Sequence, residues 1–538
     1  MKKSALLALA TAQFVMVLDQ SVMNVSISQL VEDFDTTVPT IQAVITLYCL
    51  VMAMLMLTGG KIGDIIGRRK AFVIGLVIYA IGSTTTALAP TVGILALGWS
   101  VLEGIGAALV LPAMAALIAG NFEGAQRKAA YAVIGGVAGA GIAIGPILGG
   151  WATTELTWRV VFIGEGVLGG LILALTPKVA DALRDGPAPK LDVVGAVLSA
   201  AGIGAMVLGV LQSSTWGFLT PKDSPVEPFG FSLAVFVVIG GAVLLWAFVA
   251  WSHRREARGE DPLVHLRLFS VLPLRAGLVG LFTQNLVMMG VFFVVPLYLQ
   301  LVIGLDALDT GIRMLPISIT MFLFSALGSR LSAHVSVRTI VRVGLLTATV
   351  AIAILLATID PELRDLGFGV SMAVLGIGMG LIVSQLGNVV QSSVDASGRG
   401  EAGGLQYTGQ QLGSSVGVAL IGALVLAGLT NVFIDRIAED ERIAPEVAQQ
   451  VSVAAGDGVD FVSSDQIAAA AEDAGVDETS ADAIVDDYEQ AQLRALKTGL
   501  LATGVLALLS LMSTRHLPGA VPARDDEEPV APVPAASG

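Results

Sequence analysis

The apolar positions of this chain fall in runs of about twenty residues that follow one another from the N-terminus almost to the C-terminus, separated by short polar breaks. A helix needs roughly 20 apolar residues to cross a hydrocarbon core about 30 Å thick. Each run therefore predicts a membrane-spanning helix. Fourteen are read, at residues 5–31, 40–59, 71–89, 92–120, 129–150, 160–176, 192–212, 230–251, 276–302, 311–331, 341–358, 366–390, 408–430 and 494–513, numbered here as spans 1 to 14.

Span 1 also carries a rival pattern. MKKSALLALATAQ has the basic start, apolar run and Ala-Leu-Ala stretch of a cleavable leader. The apolar run continues to about Val31, long enough to span, and is read as a retained first helix.

Composition places the chain in the same class: 54% of its 538 residues are hydrophobic and 14% charged, with mean hydropathy +0.80. This predicts an all-α integral membrane protein embedded in the lipid bilayer. The 62 glycines, against 21 prolines and without a Gly-x-y period, read as closely packed helices. Cys49 is the one cysteine, which excludes disulfides and cysteine-ligated metal sites within the chain. His253, His265, His334 and His516 are scattered near span ends, without metal-ligand spacing. The spans carry no nucleophile and base pattern of an enzyme, and no Gly-x4-Gly-Lys-Ser/Thr phosphate loop occurs. No cofactor, metal or nucleic-acid partner is expected, and transport by this chain would draw on an ion gradient.

Charge sets the topology. With the N-terminus inside, 22 of the 30 Lys and Arg fall on cytoplasmic segments, which supports an even span count, both termini in the cytoplasm and a multi-pass plasma-membrane protein. Trp151, Trp158 and Trp251 are candidate interfacial anchors. One hydrophilic segment is long: residues 431–493, on the outer side, hold 16 Asp and Glu against 2 Arg, a surplus equal to the chain's net charge of −14. The membrane body is near neutral, so the acidity describes the outer segment and not the substrate. Its helical spacing, with Ser464 and Thr479 as caps, predicts a solvated helical cap; a cation-collecting or partner-binding mouth is the other reading. The tail 514–538 reads as disordered.

Three acids break the apolar runs of the first six spans: Asp19 in FVMVLDQSVMNVSI, Glu103 in SVLEG and Glu165 in WRVVFIGEGVLG. A charged side chain at the bilayer centre costs about 2.5–3.5 kcal/mol on insertion scales. At 1.5 Å per residue Asp19 lies roughly 21 Å from the inner end of its span and Glu103 roughly 16 Å from the outer end of its own, with Glu165 shallower. No Lys or Arg lies deep in these spans, which favours protonated carboxyls. Each acid is a candidate for proton coupling or substrate contact, and each is equally able to glue two helices through a hydrogen bond. Gln13, Asn24, Gln284, Asn285, Gln385 and Asn388 are polar residues that would line the same cavity or serve as glue.

Two further stretches have a mechanical sense. GGKIGDIIGRRK between spans 2 and 3 places Gly60, Asp64, Gly67, Arg68 and Arg69 in a tight turn, where Asp64 caps a helix or pairs with an arginine. VIGGVAGAGIAIGPILGGW in span 5 sets Gly141, Gly145 and Gly149 four apart on one face, with Pro146 and Gly150 beside them, so another helix can approach closely.

The loop spacing resembles the signature of the major facilitator superfamily. The span 5 glycines and Pro146 resemble the pattern of its drug:proton antiporters, and Leu18, Asp19, Val22, Asn24 and Val25 resemble the first-helix signature of the 14-span antiporters in that group. YLQLVIGLDALDTGIRMLP and QLGSSVGVALIGAL agree with it. The chain departs at Ser28, where a proline is usual, at Ser100, where an arginine is usual, at Glu103 in place of a glutamine and at Glu165 in place of an asparagine.

The resemblance implies two six-helix halves, residues 1–176 and 276–513, joined by a linker at 177–275 that contributes two extra spans. It implies export of a small amphipathic or cationic molecule in exchange for protons. A dedicated exporter of one metabolite, antibiotic or lipid is the alternative within the class, and a receptor or scaffold acting through the acidic segment is the alternative outside it.

Overall fold

The computed structural model describes residues 2–122, 124–181, 190–222, 224–394, 399–455, 459 and 461–519. Among these, thirteen helices are long and apolar enough to cross a membrane. The fourteenth is span 5, the 28-residue helix Gly124–Trp151, several of whose side chains lie outside the described residues.

The helices extend the predicted spans by a few residues at most ends. Spans 1 to 3 are Lys2–Val25, Val38–Ile66 and Arg68–Ala87. Span 4 is built from Val92–Leu95, the π-helical Ala96–Glu103 and Gly104–Asn121. Spans 6 to 8 are Arg159–Leu175, Val193–Trp216 and Leu233–Ala257. Span 9 is Leu272–Leu297, continued by Tyr298–Val302. Spans 10 to 14 are Ala307–Leu331, Val337–Thr358, Asp365–Ser392, Arg399–Glu439 and Glu478–Ser510.

Span 1 ends earlier than the apolar run suggests. The chain breaks at Ser26, whose hydroxyl lies 2.8 Å from that of Thr153, and restarts as Ile27–Asp33. A hydroxyl that finds a side-chain partner competes with helix propagation.

Packing repeats between the two halves. Span 1 packs on spans 5 and 6, span 4 on spans 2 and 3, and span 3 on span 6; span 9 packs on 13 and 14, span 12 on 10 and 11, and span 11 on 14. The halves meet along two seams related by the same exchange, span 2 against span 13 and span 5 against span 10. Parallel repeats of this kind are a recurring transporter architecture. Spans 7 and 8 pair with each other, and span 7 lies across the span 2/13 seam, where Ile203 and Val207 bury against Leu50 and Ala53. Asp192 fixes the end where span 7 starts and span 8 finishes: fully buried, it accepts hydrogen bonds from Gly195 N–H, Trp251 Nε1 at 2.9 Å and Leu263 N–H, with Arg255 at 3.7 Å.

Three expectations need correction. Trp158 is fully buried and donates to Asp33 at 2.7 Å while Arg159 lies over its ring, so it anchors the outer loop and not the lipid interface. The acidic segment is helical as expected, but its caps are Ser463, whose N–H donates to Gln466 Oε1, and Asp477, which accepts from Ser480 N–H. A carboxylate and a capping-box partner outcompete Thr479 and Ser464 for the first-turn donors. The start of the tail is ordered, with Arg338 donating to the Leu517 carbonyl at 2.8 Å and Arg342 to Thr514 Oγ1; residues 520–538 lie outside the described residues.

Candidate functional site

The three membrane acids converge. Asp19 comes from span 1, Glu103 from the π-helical segment of span 4 and Glu165 from span 6, and one carboxyl oxygen from each lies within 4.8 Å of the others. Each is at most 1% exposed. Among the described residues no Lys or Arg pairs with any of them.

Hydroxyl and indole groups hold these carboxyls. Trp99 Nε1 donates to Asp19 Oδ1 at 2.8 Å, Tyr79 OH donates to Glu165 Oε2 at 3.1 Å, and Thr86 Oγ1 donates to Glu103 Oε1 at 3.4 Å. Tyr48 stacks on Trp99, ring centroids 4.9 Å apart at 14°. Ser100, at the position where the resemblance expects an arginine, donates to the Val44 carbonyl at 2.8 Å and so binds span 4 to span 2. The π-helical stretch widens span 4 where Trp99 and Glu103 both reach inward, and such bulges recur at functional sites. Gly82 allows the approach: a Cβ there would stand 2.8 Å from the Glu103 nitrogen.

The acids therefore face one another inside the first half, sealed from the seams. The link to the other half is Gln20, the neighbour of Asp19, whose Nε2 donates to Gln411 Oε1 of span 13 at 3.2 Å. At the outer end Ser28 donates to Gln300, and Gln300 Nε2 donates to the Val25 carbonyl at 2.8 Å. Gln42 and Ser415 reach across the span 2/13 seam to the Val418 and Thr46 carbonyls.

The other polar candidates do not join the cluster. Gln13 is buried with its amide oxygen unpartnered. Gln284 is buried beside the half-buried Asn285, which donates to the Leu281 carbonyl. Gln385 ties span 12 to the Gly328 carbonyl of span 10 at 2.9 Å, as helix glue. Asn388 is exposed. The Asn24 side chain lies outside the described residues.

Both glycine motifs act through close approach. Gly141, Gly145 and Gly149 seat span 5 on Val17, Ser21 and Val22 of span 1, while Gly150 faces Leu308 and Gly311 faces Pro146 across the seam to span 10. The expected turn shrinks to Gly67 alone, because Gly60 and Asp64 lie in the last turns of span 2 and Arg68 and Arg69 open span 3; there Arg68 pairs with Asp64 and donates to the Gly60 carbonyl at 3.3 Å. Gly67 adopts φ +104°, and the Arg69 N–H donates to Asp181 Oδ1 at 3.0 Å, which ties the turn to the end of span 6. Asp181 was not singled out by sequence. Nor were Tyr79, Ser83 and Thr86, although their i, i+4, i+7 spacing is a polar stripe on one face of span 3.

Outside the membrane the acidic segment folds onto spans 13 and 14. Arg436 pairs with Asp487 at 3.4 Å, and Arg442 pairs with Asp440 and Asp486, each at 2.8 Å. A cavity of about 460 Å³ opens there, lined by Asp435, Glu439, Asp440 and Asp487 with Arg436 and Arg494.

The sequence profile of the Major Facilitator Superfamily matches residues 9–418. The chain is 28% identical to the tetracenomycin C resistance and export protein of Streptomyces glaucescens over 84% of this chain and 81% of that one. It is 26% identical to the multidrug resistance protein Stp of Mycobacterium tuberculosis over 83% and 79% of the two chains. In fold it is similar to a bacterial homologue of the human lysosomal transporter Spinster, with a TM-score of 0.60 and 17% identity over 96% of this chain and 97% of that one.

Proposed function

We infer the function from one premise: the chain belongs to the Major Facilitator Superfamily. It is a secondary active transporter that exports drugs or other amphipathic small molecules. The observation that carries this reading is the repeated six-span packing that leaves two exchange-related seams, the arrangement on which two halves rock about a midplane site. The relatives named above add the direction: they are described as export and resistance proteins.

The halves are residues 1–176 and 276–513, with 177–275 as the linker, and both termini lie in the cytoplasm of a plasma-membrane protein. Coupling is to protons. An unpaired carboxylate in the dry interior of the first half is costly, and a proton removes that cost. Because the acids are sealed, a substrate between the halves meets span 1 and not the carboxyls. Protonation at Asp19 reaches the substrate path through the adjacent Gln20 and its partner Gln411. The junction around Gly67, with Gly60, Asp64, Arg68 and Arg69, latches the cytoplasmic side by holding spans 2, 3 and 6 together.

The test is accumulation of a panel of fluorescent cations and antibiotics in cells with and without the protein, with a proton uncoupler as control. Uncoupler-sensitive export supports the reading, and unchanged accumulation across the panel sinks it. Asp19→Asn and Glu103→Gln should abolish pH-driven efflux in vesicles; wild-type rates in both would remove these residues from the coupling role. The tetracenomycin C exporter among the relatives favours a second reading, a dedicated exporter of one molecule. Export of a single panel member would support that reading over multidrug efflux.

A further inference from the structure

We infer that Asp19, Glu103 and Glu165, with the hydroxyls of Tyr48 and Ser83, form a binding site for a hard metal cation, sodium or a divalent ion, inside the first half. The binding stands on the geometry; the proton coupling proposed above uses the same carboxyls, so a bound cation would compete with those protons.

The dimensions fit. Oxygen ligands sit about 2.3–2.6 Å from a calcium-sized cation, so two of them on opposite sides are separated by about 4.6–5.2 Å. The three carboxyl oxygens lie within 4.8 Å of one another. Each carboxyl also has a division of labour between its oxygens. Asp19 Oδ1, Glu103 Oε1 and Glu165 Oε2 accept from Trp99, Thr86 and Tyr79, while Asp19 Oδ2, Glu103 Oε2 and Glu165 Oε1 are buried without a partner. Donors on one oxygen orient a ligating carboxylate and leave the other for a metal.

Two further buried groups point to a ligand. The Tyr48 hydroxyl faces Asp19 and the Ser83 hydroxyl faces Glu103; both side chains are at most 1% exposed, and neither hydroxyl comes within an ordinary hydrogen-bond length of its carboxyl. Buried polar atoms are nearly always satisfied, and a cation among the three carboxyls would give a partner to oxygens that have none, on the acids and on the two hydroxyls that face Asp19 and Glu103. The set contains oxygen only, without the imidazole or thiolate that selects zinc or copper. All five groups belong to spans 1, 2, 3, 4 and 6, so the site is complete without the second half.

The purified full-length protein, equilibrated separately with radioactive sodium and radioactive calcium against a choline background, tests this. Saturable binding near one ion per chain is expected for one of the two, and that arm names the ion. Glu103→Gln and Asp19→Asn should each weaken it by about tenfold or more, as loss of a ligand does. Asp465→Asn, in the exposed cap, should leave it unchanged, which separates the site from loose binding to surface acids. A second readout covers variants that do not fold: the ion should change tryptophan emission of the wild type but not of Trp99→Phe. Binding of both ions that is non-saturable, or equal in the wild type and Glu103→Gln, overturns the inference, as does an emission change that persists in Trp99→Phe. Uncoupler-sensitive efflux measured on the same preparation keeps the two claims apart. Efflux without ion binding overturns the cation site alone, and ion binding without efflux overturns the transport reading alone.

Discussion

Trp99 donates its indole N–H to Asp19 Oδ1 at 2.8 Å, at a depth where neither side chain touches solvent. The bond joins span 4 to span 1 and fixes which oxygen of Asp19 remains free. Trp99→Phe keeps the ring stacked on Tyr48 but leaves a buried acceptor without its donor, at a cost of about 1–3 kcal/mol. We expect a lower melting temperature and a lower efflux rate. Wild-type melting and efflux in Trp99→Phe would show that the contact is incidental.

The seam between spans 5 and 10 closes because Gly150 has no side chain. A Cβ there would stand 2.7 Å from Leu308 Cα, against backbone that cannot step aside. Overpacking of this kind costs about 1–3 kcal/mol, and the cheapest relief for Gly150→Leu is to part the outer ends of the two helices. Thr154 Oγ1 accepts from Leu308 N–H at 3.2 Å across that seam, so a Thr154→Cys, Leu308→Cys pair reports its closure. In an otherwise cysteine-free background the pair should crosslink readily, and about tenfold more slowly when Gly150→Leu is added. Equal crosslinking in the two proteins would refute the role of the glycine.

How far this architecture is legible in sequence follows from which constraints are local. Lipid forces every span to satisfy its own backbone and to stay apolar for about twenty residues, so the spans appear as runs, and Asp19, Glu103 and Glu165 appear as exceptions to them. Their convergence does not appear, because it depends on how spans 1, 4 and 6 pack. The stripe Tyr79, Ser83, Thr86 is periodic and readable, whereas Tyr48 and Trp99 look like any aromatic residues in a span. The glycines of span 5 read correctly as a close-approach face, but only the fold assigns Gly141, Gly145 and Gly149 to span 1 and Gly150 to span 10. Span 7 lying across the span 2/13 seam is a tertiary choice with no local signature.

Gly67 sits at φ +104° in the turn between spans 2 and 3, a region that residues with a side chain rarely enter, and a Cβ there would meet Asp181 Oδ2 at 2.9 Å. Gly67→Ala should therefore cost about 1–3 kcal/mol in strain and displace the carboxylate that caps the Arg69 N–H. Asp181→Asn keeps the shape and removes the charge, so it should be milder. The expected order of melting temperature is wild type, then Asp181→Asn, then Gly67→Ala, with efflux following the same order. Gly67→Ala as stable as wild type would show that the turn is not strained.

The acidic cap carries its own pH dependence. Side-chain and backbone hydrogen bonds from Arg442 hold the Asp440 carboxyl below its ordinary 3.8, and those from Ser480 do the same for Asp477. A carboxyl lowered in the folded state contributes stability above its unfolded value and loses it as the pH falls through the folded one. The cap should thus stay closed from neutral pH down to about 4 and loosen only below the ordinary value of 3.8. Arg442→Ala removes the partner of both Asp440 and Asp486 and should loosen the cap already at neutral pH. Hydrogen exchange at the Val459 amide, which donates to Thr430 Oγ1 at 3.0 Å, reads the closure directly. Protection that survives Arg442→Ala at neutral pH would place the cap's stability in its apolar contacts, such as Phe433 against Tyr488, and protection that fades between pH 7 and 5 in the wild type would show that Asp440 and Asp477 do not set its pH dependence.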